Sequence, residues 1–201
     1  MMILRTSNAS PFGRKARLAA ALLGLDKNID VLPANGNDPD DPLRIENPLG
    51  KMPVLTLDDG TRLFDSPVIL EYFDTLAGGG RIIPRETAPR FAALRLEALG
   101  DGIMDASVLL MAEQRFRAED RREPKWVEHQ TGKVTRSLIA LEQAPPPVSA
   151  MPDVGQITLA CTLGYLDFRF AGEWRKQYPK LVQWIDAFAA KVPAFDATKP
   201  E

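Results

Sequence analysis

The chain has 201 residues, of which 45% are hydrophobic and 26% are charged, with a formal net charge of −2. This balance suits a globular core, provides no apolar run of the roughly 20 residues that a membrane span needs, and lacks the basic stripe typical of nucleic-acid binding. One cysteine, Cys161, and one histidine, His129, exclude an intrachain disulfide and any multi-histidine or multi-thiolate metal centre.

We therefore expect a cytoplasmic protein that binds no metal, no nucleic acid and no membrane. The apolar start of the chain is interrupted by Arg5, which does not fit a secretory signal peptide. Cys161 lies in an apolar stretch and is expected to be a small core residue.

The first part of the chain alternates between predicted strands and helices. Ser10 and Pro11 open an amphipathic helix, since Ser is a favoured N-cap and Pro a favoured first helical residue, and Ser66 with Pro67 repeats the pattern. The predicted elements, in chain order, are a strand at 2–6, a helix at 11–24, a strand at 28–33, a helical turn at 43–46, a hairpin at 54–64 around Asp59-Gly60 and a helix at 66–76.

The rest of the chain predicts helices only. Apolar residues recur at helical spacing over 87–122, where Gly100 and Gly102 favour a bend, and again over 124–143, 153–170 and 178–192. Asp153 and Gln156 form a capping-box pattern in front of a helix that is apolar almost all round and should be buried. We therefore predict an α/β domain with a mixed four-stranded sheet (1–77), a linker (78–86) and an all-α domain (87–201).

Several segments resemble the soluble glutathione S-transferases. The stretches "SNASPFGRKARLAAALLGL", "NPLGKMPVLTLDDG" and "FDSPVILEYF" resemble the thioredoxin-like domain of that family, of bacterial type, although no class within it is assigned. "TLACTLGYLDFRF" resembles the central helix of the family's helical domain, and "YPKLVQWIDAFAAKVPAF" resembles its closing segment. The resemblance covers essentially the whole chain.

The resemblance implies a binding site for the tripeptide glutathione as co-substrate. A cis bond between Met52 and Pro53 would present the backbone of Met52 to the cysteinyl unit, as an added strand would. Lys51 would hold the glycyl carboxylate as a point charge. Asp65 would bind the γ-glutamyl ammonium, and Ser66, at a helix N-terminus, the γ-glutamyl carboxylate.

The sulfur of glutathione would then lie near residues 7–10. The resemblance implies that Ser10 is catalytic and donates its hydroxyl proton to the thiolate, while Ser7 and Asn8 remain alternatives for this contact. Asn8 and Phe12 are expected to line the substrate site. The electrophile pocket should lie between the domains, with candidate linings at Phe12, Met104, Val108, Met111 and the residues from 168 to 174.

The predicted function is conjugation of the glutathione thiolate to small hydrophobic electrophiles, a detoxification activity. Two alternatives stay open: a protein that binds glutathione and acts through protein partners, and a glutathione-dependent peroxidase or dehalogenase. The resemblance also implies a homodimer that packs through the helix at 87–122, from which Asp101 or Asp105 could reach the partner's glutathione.

Overall fold

A four-stranded mixed sheet forms the first part of the computed structural model, which describes residues 1–200. The strands are β1 (Met2–Thr6), β2 (Ile29–Pro33), β3 (Val54–Thr56) and β4 (Arg62–Leu63), in the spatial order β2-β1-β3-β4. β1 is parallel to β2 and antiparallel to β3, and β3 is antiparallel to β4. The parallel pair is joined by a helix, as a parallel crossover requires. The predicted mixed sheet and thioredoxin-like domain are confirmed.

Three helices belong to this part of the chain: α1 (Pro11–Leu22), α2 (Leu43–Glu46) and α3 (Ser66–Leu76). α1 packs against α3, and α3 packs against β3. The side chain of Asp74, near the end of α3, accepts hydrogen bonds from the backbone N–H groups of residues 80–83 at 2.7–3.4 Å. This carboxylate thereby fixes the segment that leads to the next helix.

The remainder is all-helical, as predicted. It contains α4 (Thr87–Phe116), α5 (Pro124–Gln143), α6 (Val154–Arg169), α7 (Pro179–Lys191) and α8 (Ala194–Ala197). Every residue of α6 from Val154 to Leu166 is buried. The predicted capping box is present, because the Asp153 side chain accepts from the Gln156 N–H and the Gln156 side chain accepts from the Asp153 N–H.

Small residues set the close contact of α4 with α6. A Cβ atom on Gly155 would lie 2.6 Å from the carbonyl oxygen of Ala93, and one on Gly100 would lie 2.7 Å from Cγ2 of Thr158. The hydroxyl of Thr162 donates to the carbonyl of Gly100 at 3.2 Å. Gly100 therefore serves the approach of two helices, and α4 continues through it without interruption.

The helix predicted over 87–122 ends at Phe116, which is a correction. A short 3₁₀ turn, Glu119–Arg121, follows it. Most of the residues from 117 to 122 are charged and exposed, so no buried face extends the helix. Within residues 1–200, no helix combines the length and the apolar character that crossing a membrane demands.

Candidate functional site

The N-terminus of α1 presents the hydroxyl of Ser10. The Oγ atom accepts a hydrogen bond from the N–H of Gly13 at 3.1 Å, so the predicted N-cap is confirmed. The N–H of Ser10 donates to the carbonyl of Ser7 at 3.1 Å. Because a serine hydroxyl has one proton and two lone pairs, capping leaves the Ser10 proton free to be donated. The positive end of α1 favours an anion at the same place.

Gly13 brings this helix start against the end of β1. A Cβ atom at this position would lie only 1.8 Å from Oγ1 of Thr6, the last residue of β1. The absence of a side chain therefore allows β1 and the first turn of α1 to touch. The neighbouring Asn8 is exposed, and Ser7 and Phe12 are half-buried.

The loop before β3 carries Lys51, Met52 and Pro53. The Met52–Pro53 peptide bond is cis, as the resemblance implies. Lys51 is exposed and Pro53 is buried, while the β3 ladder begins only at Val54 and leaves Met52 outside it. Met52 thus precedes the paired part of the strand.

Asn47 supports this loop, a role that the sequence analysis missed. Its side chain is buried, donates to the carbonyl of Lys51 at 2.8 Å and accepts from the N–H of Leu49 at 3.0 Å. Asn before Pro at a turn commonly bonds to the backbone two residues further on, so the stretch "NPLG" contained the signal.

Asp65 and Ser66 stand at the start of α3, with one correction to the prediction. Asp65 is the N-cap residue, with extended backbone, and Ser66 is the first helical residue. The sequence pattern predicts the N-cap at Ser66 instead, because Asp and Ser are about equally favoured there and helix boundaries shift easily by one residue. Asp65 is exposed, whereas Ser66 is 1% exposed and its hydroxyl has no hydrogen-bond partner within residues 1–200.

An unpaired hydroxyl at that position is chemically informative. Buried polar groups are nearly always hydrogen-bonded, and each exception asks for an explanation. Ser66 lies where the first N–H groups of α3 lack helical partners and the helix end is positive. The hydroxyl and these N–H groups together can bind a carboxylate, beside the negative charge of Asp65.

A buried charge cluster joins α1 to α4. Lys15 is fully buried, and its Nζ atom donates to both carboxylate oxygens of Asp101 at 2.9 Å. The same Nζ lies 2.9 Å from Oε1 of Glu97. Burial raises the pKa of Asp101 to about 6, although the charge of Lys15 opposes this rise. No local sequence pattern marks Lys15 as a buried residue, because its partners are about eighty residues away.

This cluster affects the expectation that Asp101 or Asp105 of α4 could reach the glutathione bound to a partner subunit. Asp101 is engaged by Lys15 of its own chain, so its carboxylate is already paired. Asp105 is exposed, and its pKa is raised by partial burial, with Lys51 acting in the opposite direction. Of the two acids, only Asp105 remains available to a neighbouring molecule.

The residues predicted to line an electrophile pocket do not all lie together. Met104 is fully buried in the core, whereas Val108 is exposed and Met111 half-buried. Phe170 and Trp174 line a separate cavity of about 370 Å³ between α4, α5 and α6. Met104 and Trp174 therefore do not belong to one open pocket with Phe12.

The fold and the site together define a class of protein. A thioredoxin-like domain whose helix starts and cis-proline loop present polar groups, followed by an all-helical domain, is the architecture of a glutathione transferase. The family "Glutathione S-transferase, N-terminal domain" matches residues 9–76, and "Glutathione S-transferase, C-terminal domain" matches residues 124–187. This chain belongs to the glutathione S-transferase family.

Three relatives illustrate the match. The uncharacterized GST-like protein YibF of Escherichia coli K12 is 34% identical over 204 residues, covering 99% of this chain and 98% of that protein. A glutathione S-transferase of Methylobacillus flagellatus KT, with glutathione bound, is 37% identical, with a TM-score of 0.91 and full coverage of both chains. A family member from Pseudomonas fluorescens Pf-5, with bound S-(propanoic acid)-glutathione, is 36% identical, with a TM-score of 0.89 and full coverage of both chains.

No group of three or more histidine, cysteine or acidic side chains comes together as a metal site within residues 1–200. Cys161 is fully buried against α1, and burial raises the pKa of its thiol to about 11. A thiol in this state is protonated at neutral pH and cannot act as a nucleophile.

Proposed function

We propose that this protein is an enzyme that conjugates the thiolate of glutathione to small hydrophobic electrophiles. The observation that carries the proposal is the Ser10 hydroxyl, which caps α1 and keeps a proton for a ligand. A thiolate that accepts this proton's hydrogen bond at the positive end of α1 is stabilised relative to the thiol. The bound sulfur then attacks the electrophilic carbon and a C–S bond forms; an aryl halide loses halide with its electron pair, whereas in an enone the C=C electron pair shifts toward the carbonyl and takes a proton from water.

Polar groups at the start of α3 and in the loop before β3 hold the rest of glutathione. The Ser66 hydroxyl and the first N–H groups of α3 bind the γ-glutamyl carboxylate, and Asp65 binds the γ-glutamyl ammonium. The backbone of Met52 pairs with the cysteinyl unit, and Lys51 attracts the glycyl carboxylate. Asn8 and Phe12 complete the site on the sulfur side.

The glutathione complex of the Methylobacillus relative supports glutathione as the co-substrate, and the Pseudomonas relative's bound thioether conjugate supports a reaction at sulfur. The proposal also includes the boundaries 1–77 and 87–201 for the two domains and a cytoplasmic location, both of which rest on the sequence.

A homodimer is part of the proposal. Glu71 of α3 and Arg90 of α4 form an ion pair at 3.1 Å, so these helices share one surface. Each of these helices also carries an exposed apolar side chain, Val68 on α3 at 45% and Phe91 on α4 at 64% exposure. Paired apolar patches of this kind mark protein interfaces. Sedimentation equilibrium should give twice the chain mass, and a monomer would contradict the dimer.

The test compares the wild type with Ser66→Ala in two measurements. Calorimetric titration should show glutathione binding that weakens by about tenfold or more in the variant, because a hydrogen bond to a charged group is lost. A panel of chromogenic aryl halides and enones should show turnover by the wild type. Binding without turnover would favour the alternative of a glutathione-binding protein, and no binding would overturn both.

A further inference from the structure

The last turn of α6 carries Arg169, an arginine with no acidic partner within residues 1–200. The Arg169 guanidinium stacks on the ring of Phe168 at 4.3 Å from its centroid. It also lies beside the hydroxyl of Tyr165, where its positive charge opposes the rise in pKa that burial causes for this tyrosine. Both neighbours precede Arg169 in the helix, so the side chain is folded back over the final turn.

Helical spacing shows which way this turn faces. Thr158 and Thr162 lie against α4, and Gly164 lies against α1, where its Cβ position is 2.3 Å from an Nη atom of Arg14. Each residue advances about 100° around a helix, so Tyr165 points between these two directions. Tyr165 therefore borders the groove between α1 and α4, which is the groove between the two predicted domains.

The direction of α1 brings Ser10 to the same end of that groove. Arg14 lies beside Gly164 and near both Cys161 and Asp167, whereas Arg17, further along α1, lies near Cys161. α1 and α6 therefore run antiparallel. Ser10 precedes Arg14 by four residues and Phe168 follows Gly164 by four, so both are displaced by about 6 Å in the same direction.

Arg169 has no acidic partner within residues 1–200. It takes part in none of the ion pairs within residues 1–200, and its Nε atom is buried without a hydrogen-bond partner. The adjacent Asp167 is engaged by Trp174 and Arg175 at 2.8–2.9 Å. A guanidinium that is held in place and has no acidic partner is suited to bind a carboxylate, with the hydroxyl of Tyr165 as a further donor.

We propose that Arg169 and Tyr165 determine the substrate class of the proposed transferase: the electrophiles that it prefers carry a carboxylate, which this pair binds while the reacting carbon faces the sulfur. The inference rests on the proposed function, because it needs glutathione to occupy the site. It extends that function by assigning polar residues, Arg169 and Tyr165, to an electrophile pocket that is otherwise expected to be hydrophobic.

The experiment uses two conjugates of the same shape, S-carboxyethylglutathione and S-carbamoylethylglutathione, which differ only in a carboxylate or a neutral amide. Calorimetry should give the wild type a preference of about tenfold or more for the carboxylate conjugate. Arg169→Met should abolish this preference, and Tyr165→Phe should reduce it. Arg136→Met, which removes an exposed arginine of α5, is the matched control and should retain it.

Titration of the same proteins with unsubstituted glutathione distinguishes a failure of the proposed role of Arg169 from a failure of the proposed function. If glutathione binds the wild type but both conjugates bind it equally, the inference about Arg169 is overturned while the proposed function stands. Equal loss of affinity for both conjugates in Arg169→Met would also overturn it, because it would reveal a structural role only. If glutathione itself does not bind, the proposed function fails as well.

Discussion

Replacement of Ser10 by alanine tests whether its hydroxyl only caps α1 or also stabilises a thiolate. The variant loses the acceptor for the Gly13 N–H, now bonded at 3.1 Å, and should be destabilised by about 1 kcal/mol. For a chain of this length, that change lowers the midpoint of thermal unfolding by about 2–4 °C. If the Ser10 hydroxyl also donates a hydrogen bond to the thiolate, the pKa of the thiol of bound glutathione should rise in the variant.

The expected size of this rise follows from one lost hydrogen bond to an anion. A cysteine thiol has a reference pKa of about 8.5, and a shift of one unit corresponds to about 1.36 kcal/mol. We expect the site to lower the pKa by about one to two units, which increases the thiolate fraction at neutral pH from roughly 3% to between roughly a quarter and three quarters. The Ser10→Ala variant should lose most of this increase.

Ultraviolet absorbance of the thiolate, followed against pH in the glutathione complex, measures the pKa directly. Ser10→Gly is the matched control, because glycine at an N-cap costs only a few tenths of a kcal/mol while it also removes the hydroxyl. Both variants should raise the pKa equally although their stabilities differ. An unchanged pKa in both would refute the catalytic role of Ser10, and a rise in Asn8→Ala or Ser7→Ala instead would move that role to the alternative residue.

Two further predictions concern the packing of the site. The raised pKa of Asp101, about 6 in the folded protein against about 4 when unfolded, means that the folded state binds an extra proton between these values. The free energy of unfolding of the wild type, relative to that of Asp101→Asn, should therefore increase by no more than about 3 kcal/mol as the pH falls from 6 to 4. Urea unfolding at each pH measures this difference, and a difference that does not change with pH would contradict the raised pKa. Gly13→Ala should destabilise the protein by about 1–3 kcal/mol in the same assay, because its Cβ atom would collide with Oγ1 of Thr6. Gly102→Ala, which meets nothing within 4 Å, should instead stabilise by up to about 1 kcal/mol, and equal effects at both glycines would contradict this reasoning.

The features that the sequence predicted well depend on residues close together in the chain. The Ser10 cap joins residues three apart, as does the capping box of Asp153 and Gln156. The hairpin turn is equally local, since Gly60 adopts a positive φ of 85° and donates to the carbonyl of Leu57. Such interactions are encoded in adjacent side chains and turn types, so pattern alone reveals them.

The features that the sequence did not reveal depend on contacts across the fold. Lys15 and Asp101 meet only because α1 packs on α4, and no local pattern marks a fully buried lysine. The free hydroxyl of Ser66 was hidden for a different reason. As an N-cap it would have been paired, but the helix begins one residue earlier, with Asp65 as the N-cap, and the hydroxyl is left without a partner within residues 1–200.

Ser10 and the Lys15–Asp101 ion pair both involve helix α1, so two ionisations near this helix can affect the same pH titration. Ser10 begins the helix, and one turn later Lys15 is paired with Asp101, whose carboxyl titrates at about pH 6. Protonation of Asp101 would neutralise one of the two carboxylates that face Lys15, in a pH range adjoining that expected for the bound thiol. A pH profile of the catalytic rate would combine both ionisations. The ultraviolet absorbance of the thiolate reports only the thiol, because a carboxylate does not absorb in that band. If Ser10 acts on the sulfur directly, the midpoint of the absorbance titration should be the same in Asp101→Asn as in the wild type.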